Sequence, residues 1–526
     1  MIAILGFGIQ TRIFSLLWWH PFLLTLNLMA VTVILSGAMG ILGAWAASSV
    51  QSSGRLGGLI ARLFVAAMIA AIAMPMILHA AAWESTAGKF GWLPLTQTGS
   101  RATAIGAFGA FGGLTACGWI HGLVGAAIVA LATWHGAQRV PCSVIAHGSL
   151  DATPTTIWWR IRLPLAMPWI VSGVIGAAAL AATEMTVVDL YGYRTIADEF
   201  YLYHSIDASN SAILITCLVP LSMAAILIMQ RVLWRRRLLS VGGHDGSGES
   251  RSESLPPGIR AFAGAVTLVV AALVSLVPLA GLVIKAGHQV VVVGGVRSTS
   301  WSLEQFVQTV MRAPVTFAAE YSWTAMIAVG TAVVAVPLGW LTASLGRSHP
   351  VVGRWMDAVT VVLVLVPGPI VGLGIVRFFQ WDVPGFRLLY QQSLVPTILA
   401  LLVRAGPVAY WILRAGYRGI DDRVLAMAQI DRSWVGRMWA IDRPLLKKPF
   451  LAASLGAAIV ASGDVPAMLP VIPPGVTTVG TRLFELLHNG ARYQEAALAL
   501  WYVGAVVALV LVWMKWGATF RGRMIG

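Results

Sequence analysis

Charge and cysteine are both scarce in this chain. Its 526 residues include only 36 Lys plus Arg and 21 Asp plus Glu, so 11% are charged, against about 25% in an average soluble domain. A water-soluble surface for a chain of this length cannot be built from so few charges. The three cysteines, Cys117, Cys142 and Cys217, are too scattered for a disulfide framework or a metal site. The ten histidines show no metal-ligand spacing, and no nucleophile, base or acid is grouped for catalysis, so no catalytic residue, metal or cofactor is expected. No G-x-x-x-x-G-K-[ST] phosphate loop occurs, since the one Gly-Lys pair, Gly88-Lys89, lacks the preceding glycine. Any ATP used must be bound by another chain.

What is present is apolar length: 58% of residues are hydrophobic, and a bilayer span needs ~20 apolar residues in a row. Spans fit best at 22–47, 59–83, 119–137, 169–188, 211–230, 261–285, 318–343, 357–379, 394–413, 449–465 and 495–514. The expected fold class is therefore an all-α polytopic membrane protein with about eleven transmembrane helices. The net charge of +15 could suggest a nucleic-acid partner, but its distribution argues otherwise. The connections 48–62, 138–168, 231–260, 344–356 and 414–448, with the tail from Lys515, hold 24 Lys plus Arg in 136 residues, and the opposite side holds nine in 153. Basic loops stay in the cytoplasm, which puts the N-terminus outside and the C-terminus inside, with membrane lipid and not nucleic acid as the partner of the basic charge.

Residues 1–21 are read as an interfacial segment. Gln10, Thr11 and Arg12 interrupt an apolar run too short to cross, and Trp18, Trp19 and His20 before Pro21 resemble a headgroup-level belt. The alternative is a twelfth span. A cleaved signal peptide is not expected, because no basic region precedes the run and no small-residue cleavage site follows it. Residues 231–260 change to a polar, Gly/Ser-rich text bounded by Arg235, Arg236 and Arg237 and by Pro256-Pro257-Gly258, the composition of a cytoplasmic linker.

An internal repeat appears at an offset of 280: Ala146 meets Ala426, Asp151 meets Asp431, Trp159 meets Trp439, Ile161 meets Ile441, Pro164 meets Pro444 and Glu184 meets Asp464. The matching loops lie on one side of the membrane, so the repeat is parallel. Five spans per copy then require one extra span to return the chain. The expected organisation is a first half at 22–230, the linker at 231–260, a connecting span at 261–285 and a second half at 286–526. Two pseudo-symmetric halves form a pathway at their interface.

Both repeated loops are expected to be helical and to end in a proline at the mouth of the next span. Here the sequence resembles the permease subunits of binding-protein-dependent ABC importers, whose loop signature is E-A-A, three residues, G, nine residues, I-x-L-P. The first loop matches at Ile145, Ala146, His147, Asp151, Ile161, Leu163 and Pro164, and the second at Leu425, Ala426, Met427, Asp431, Ile441, Arg443 and Pro444. The acidic residue is absent from both copies, and the glycine is aspartate in both. Asp tolerates turn geometry and can cap a helix. The segments 366–375, 464–490 and 191–205 look like parts of fused, two-half ferric-iron permeases, and thiamine importers share that plan.

The resemblance implies a multi-pass protein of the bacterial inner membrane that passes a small solute, ferric iron foremost, from a periplasmic substrate-binding protein to the cytoplasm. It also implies two cytoplasmic ATP-binding cassette subunits docked on Ala146–Thr156 and Ala426–Gly436. Thiamine is the alternative solute, phosphonates, polyamines and inorganic oxyanions stay open, and an ion-coupled secondary transporter is the reading from a different class. Glu184 and Asp464, ~24 Å along their spans at 1.5 Å per residue, either shape an exit for a cation or are helix-end carboxylates bonded to backbone or to Arg482. Arg377 and Arg404 are expected to snorkel to the interface, and His79 and His121 to pack within the bundle.

Overall fold

The computed structural model describes residues 2–51, 53–88, 113–204, 209–234, 255–293, 296–421, 423–424, 427, 430, 432–489 and 493–519. The protein is a polytopic, all-α membrane protein. Among the described residues nine helices are long and apolar enough to cross a bilayer, and eleven spans result when two sharply bent helix pairs each count as one.

The first half comprises α1 (Ile2–Gln51), α2 (Gly54–Ala73), α3 (Met76–Ala87), α4 (Gly113–Ala137), α5 (Cys142–Gly148), α6 (Pro154–Ile157), α7 (Leu163–Thr183), α8 (Thr186–Leu190), α9 (Ile196–His204) and α10 (Asn210–Leu233). The connecting span is α11 (Pro257–Ala271) with α12 (Val277–Gly287). It leads into the antiparallel hairpin β1 (His288–Val293) and β2 (Val296–Trp301), paired from His288–Trp301 to Val293–Val296, and then into α13 (Leu303–Thr316). The second half comprises α14 (Ala318–Ser348), α15 (Pro350–Leu365), α16 (Gly368–Phe379), α17 (Phe386–Gln392), α18 (Val395–Arg418), α19 (Trp434–Arg437), α20 (Arg443–Leu445), α21 (Lys447–Gly463), α22 (Val465–Met468), α23 (Val479–Asn489) and α24 (Gln494–Thr519).

The repeat extends to single contacts. In each half the first, third and fourth spans pack on one another: α1, α4 and α7, then α14, α18 and α21. A Cβ on Gly40 would lie 2.9 Å from the Ala126 carbonyl oxygen, and one on Gly339 would lie 3.0 Å from the Ala409 carbonyl carbon. Glycine is thus required where these helices approach closely. The Ile196 amide donates to Thr25 Oγ1 at 3.0 Å, and the Val479 amide donates to Thr324 Oγ1 at 2.9 Å.

Proline sets the irregularities. The spans expected at 59–83 and 357–379 are each broken at Met74-Pro75 and Val366-Pro367, with Met74 and Val366 extended as residues before proline must be. The second break bends the chain by 101°. Three π-helical turns, Trp158–Arg162, Ala272–Leu276 and Met438–Asp442, each stand two residues ahead of a proline: Pro164, Pro278 and Pro444. A proline ring collides with the carbonyl four residues back, and widening the preceding turn moves that carbonyl aside.

The halves are interleaved. Span α10 packs on α15, α24 packs on α2 and α3, and the connecting span lies against α1, α3 and α24. Met74, Ile77 and Leu78 of the first half share one core with Val465, Met468 and Leu483 of the second. At the N-terminus the segment read as interfacial continues helically into the first span. Trp18 is buried and stacks on His204 at 5.2 Å, while Trp19 is exposed.

Candidate functional site

The two repeated loops lie on the arginine-rich side. In the first, α5 is followed by a turn that holds Asp151 exposed, and Thr153 then caps α6 by accepting from the Thr156 amide at 3.3 Å. In the second, Ser433 caps α19 from the equivalent position by accepting from the Gly436 amide at 3.3 Å. Ala146 is exposed on α5; Ile161 and Ile441 sit half-buried in the π turns. Leu163 packs beside Trp45 and Trp158, and Pro164 and Pro444 are exposed in the first turns of α7 and α20. Ala426 and Asp431 lie outside the described residues.

Each loop presents apolar side chains to water at matching positions. Leu150 is 79% exposed and Ile430 83%, while Val144 is 39% exposed and Val424 44%. Burying such side chains gains roughly 1.5–3 kcal/mol each, so an exposed pair in an otherwise polar loop is a surface suited to a partner.

Behind this surface the halves differ. In the second, Arg437 and Asp442 are fully buried, 3.5 Å apart. Tyr417 donates to Asp442 at 2.9 Å, Trp340 Nε1 donates to the Tyr417 hydroxyl at 3.0 Å, and Arg437 donates to Ser344 and Ser348 at 3.4 and 3.2 Å. The loop is thereby tied to the end of α14. The equivalent positions of the first half, Ile157 and Arg162, make no such pair, and Trp45, Trp158 and Leu163 supply an apolar cluster instead.

Glu184 and Asp464 both terminate a span. Glu184 accepts from the Thr186 and Val187 amides at 2.7 and 3.0 Å and from the Thr186 hydroxyl, so its carboxylate covers the first free amides of α8. His121 Nε2 stands 3.5 Å from Glu184, and its Nδ1 donates to the Cys117 carbonyl at 2.8 Å. Asp464 pairs with Arg404 at 3.3 Å, and Arg404 also donates to the Val366 carbonyl at 3.1 Å, joining the break before α16 to the break after α21.

His121 and Arg404 occupy equivalent places in the third span of each half, so an acid–base tie to the carboxylate that ends the fourth span recurs in both halves. The snorkelling expected of Arg404 is thus corrected: it turns inward because Asp464 and a free carbonyl need a donor there. Arg482 does not reach Asp464; it pairs with Glu320 and Glu485 at 3.5 and 3.1 Å. His79 Nε2 donates to the Ala71 carbonyl at 2.8 Å. That carbonyl would otherwise bond residue 75, where proline has no N–H.

Sequence reasoning missed one contact between the halves. His488 of α23 stands 3.2 Å from Asp189 of α8, and its other ring nitrogen donates to the Phe484 carbonyl at 2.8 Å. The hydrogen bond to Asp189 raises the His488 pKa above its ordinary value, against the opposing effect of burial. Among the described residues no group of three or more His, Cys, Asp or Glu is placed to hold a metal ion. No protein-family model matches the chain, and no curated protein matches it either.

Proposed function

We propose that this protein is the membrane-spanning permease subunit of an ATP-driven importer. Its two arginine-rich loops dock on two cytoplasmic ATP-binding cassette subunits, and a small solute passes between its halves. The observation that carries the reading is the matched pair of exposed apolar positions, Val144 and Leu150 in one loop and Val424 and Ile430 in the other. Two equivalent docking surfaces fit two copies of one partner. The mutually packed spans α1, α4 and α7 of one half, and α14, α18 and α21 of the other, supply bodies that a closing ATPase dimer can move.

On this reading the protein lies in a bacterial inner membrane and receives its solute from a periplasmic substrate-binding protein. Ferric iron is the foremost solute on sequence resemblance, with thiamine next. The test is copurification with the ATPase, together with solute uptake, for Leu150→Asp and Ile430→Asp. Both variants keep normal membrane levels, since neither side chain packs in the core, and both lose ATPase association and uptake. Unchanged association in both would sink the proposal.

The buried Glu184 and Asp464 favour one competing reading, an ion-coupled secondary transporter, because intramembrane carboxylates serve such coupling. That reading requires uptake into proteoliposomes driven by an ion gradient with no ATPase present.

A further inference from the structure

Helix α13 has three faces rather than two. Phe306, Val310 and Ala313 pack toward the last span, whereas Glu304, Gln308, Arg312 and Thr316 are exposed and polar. Between these faces runs a third strip, Leu303, Val307, Met311 and Val315, apolar at every fourth residue and exposed along its length. At 100° per residue the strip is about 120° wide. A helix in water needs no such strip, and a helix buried in protein would cover it.

The ends of α13 fix its orientation. At its start the Ser302 amide donates to the Gly287 carbonyl at 3.0 Å, which pins β2 and the helix cap to the end of the connecting span. Its C-terminus passes through the single residue Phe317 into α14, the first span of the second half. A helix of 14 residues, ~21 Å long at 1.5 Å per residue, therefore runs from the mouth of one span to the mouth of the next. It must lie close to the plane of the membrane.

Its depth follows from α24. Trp501 Nε1 donates to the Val310 carbonyl at 2.8 Å, and Tyr321 donates to the Leu498 carbonyl at 3.0 Å. Leu498 and Trp501 are four and seven residues inside the start of their span at Gln494, ~6–10 Å in from its end. That is the headgroup and upper acyl region, where tryptophan concentrates. The next helix in the chain, α14, likewise carries exposed apolar residues, Met326, Val329 and Val333.

We propose that α13 is an interfacial membrane-binding helix. It inserts Leu303, Val307, Met311 and Val315 into the leaflet on the arginine-poor side and keeps Glu304, Gln308 and Arg312 in water. The occupant of the strip is lipid and not a second protein, because the helix lies at headgroup depth and leads through one residue into a span whose own apolar side chains are exposed. Through Phe317 the bilayer surface thereby sets the angle at which α14 enters.

The test uses the wild-type chain in nanodiscs of phosphatidylethanolamine and phosphatidylglycerol. Met311 is 65% exposed in the protein alone and Met427, on the opposite loop, 68%, so dilute hydrogen peroxide should oxidise them alike if both meet water. Lipid over Met311 slows its oxidation by about tenfold or more relative to Met427. Nitroxide labels at Val307→Cys and Gln308→Cys, with the native cysteines replaced by alanine, add a second reading. Position 307 becomes accessible to oxygen but not to an aqueous nickel chelate, and 308 is open to the chelate and less so to oxygen than 307. Equal oxidation of the two methionines, or a label at 307 shielded from oxygen as well as nickel, would overturn the proposal, the latter by placing protein over the strip.

Discussion

His488 and Asp189 form a contact between the halves whose strength depends on pH. Both imidazole nitrogens face acceptors, Asp189 and the Phe484 carbonyl, so the geometry favours the doubly protonated ring. A histidine whose folded pKa is raised contributes its stabilisation fully below its unfolded value near 6.5 and loses it as pH climbs through the folded value. Asp198, fully buried nearby, is pushed up to about 7, first by burial and then by Asp189, with Arg194 opposing. A raised carboxyl likewise loses stabilisation as pH rises through about 7. We therefore expect amide protection in α9 and α23, after correction for base-catalysed intrinsic exchange, to fall between pH 6 and pH 8. His488→Gln should remove part of that dependence and Asp198→Asn the remainder, and an unaltered pH profile in both variants would show that other groups control it. None of this was legible beforehand. Residues 189 and 488 are far apart in the chain, and a contact between halves leaves no periodic trace; the one signal was an exposed-looking histidine on an amphipathic segment.

Elements were far more legible than side-chain partners. Hydropathy placed the nine helices long enough to cross and the two bent pairs among the described residues, because an apolar run of ~20 residues has few alternatives. The repeated loops stood out because their residues match at one offset, and the structure adds a π turn in the same place ahead of Pro164 and Pro444. The breaks at Met74-Pro75 and Val366-Pro367 were readable in principle from their prolines, but a run that remains apolar across a proline looks like one span. The inward turn of Arg404 was hidden because its partner lies 60 residues along the chain. The N-terminal helix carries its own prediction. It has 50 residues, ~75 Å at 1.5 Å per residue, well beyond the ~40–45 Å of a bilayer with its headgroups. Its crossing segment is Trp18–Gln51, so the part before Trp18 is not needed to span. Deleting Met1 to Arg12 should leave single cysteines in 231–260 reactive only from the cytoplasm and those in 286–317 only from outside. Inverted labelling would make the N-terminal segment a twelfth, topology-setting span.

For the whole molecule, the interleaving of the halves means that neither can move without repacking the other. Span α10 lies on α15 and α24 on α2 and α3, so a displacement at one loop reaches the shared core at Met74, Ile77 and Val465. The two loops cannot transmit that displacement equally. The second is joined to α14 through Arg437, which bonds Ser344 and Ser348, and through Asp442 and Tyr417, while the first leans on an apolar cluster. On the importer reading proposed above, docking and transmission are therefore separable on the second loop. Ile430→Asp acts on the exposed surface and should abolish ATPase association. Arg437→Met leaves the surface intact but strands Asp442 as an unpaired buried carboxylate, a change that costs about 3–5 kcal/mol when a buried pair loses one partner. The paired variant Arg437→Met with Asp442→Leu removes that cost without restoring the tie to Ser344 and Ser348. We expect the paired variant to reach normal membrane levels and copurify with the ATPase, yet to import several-fold more slowly than wild type. Full uptake in that variant would show that the buried network only stabilises the loop and that force reaches α14 by another route.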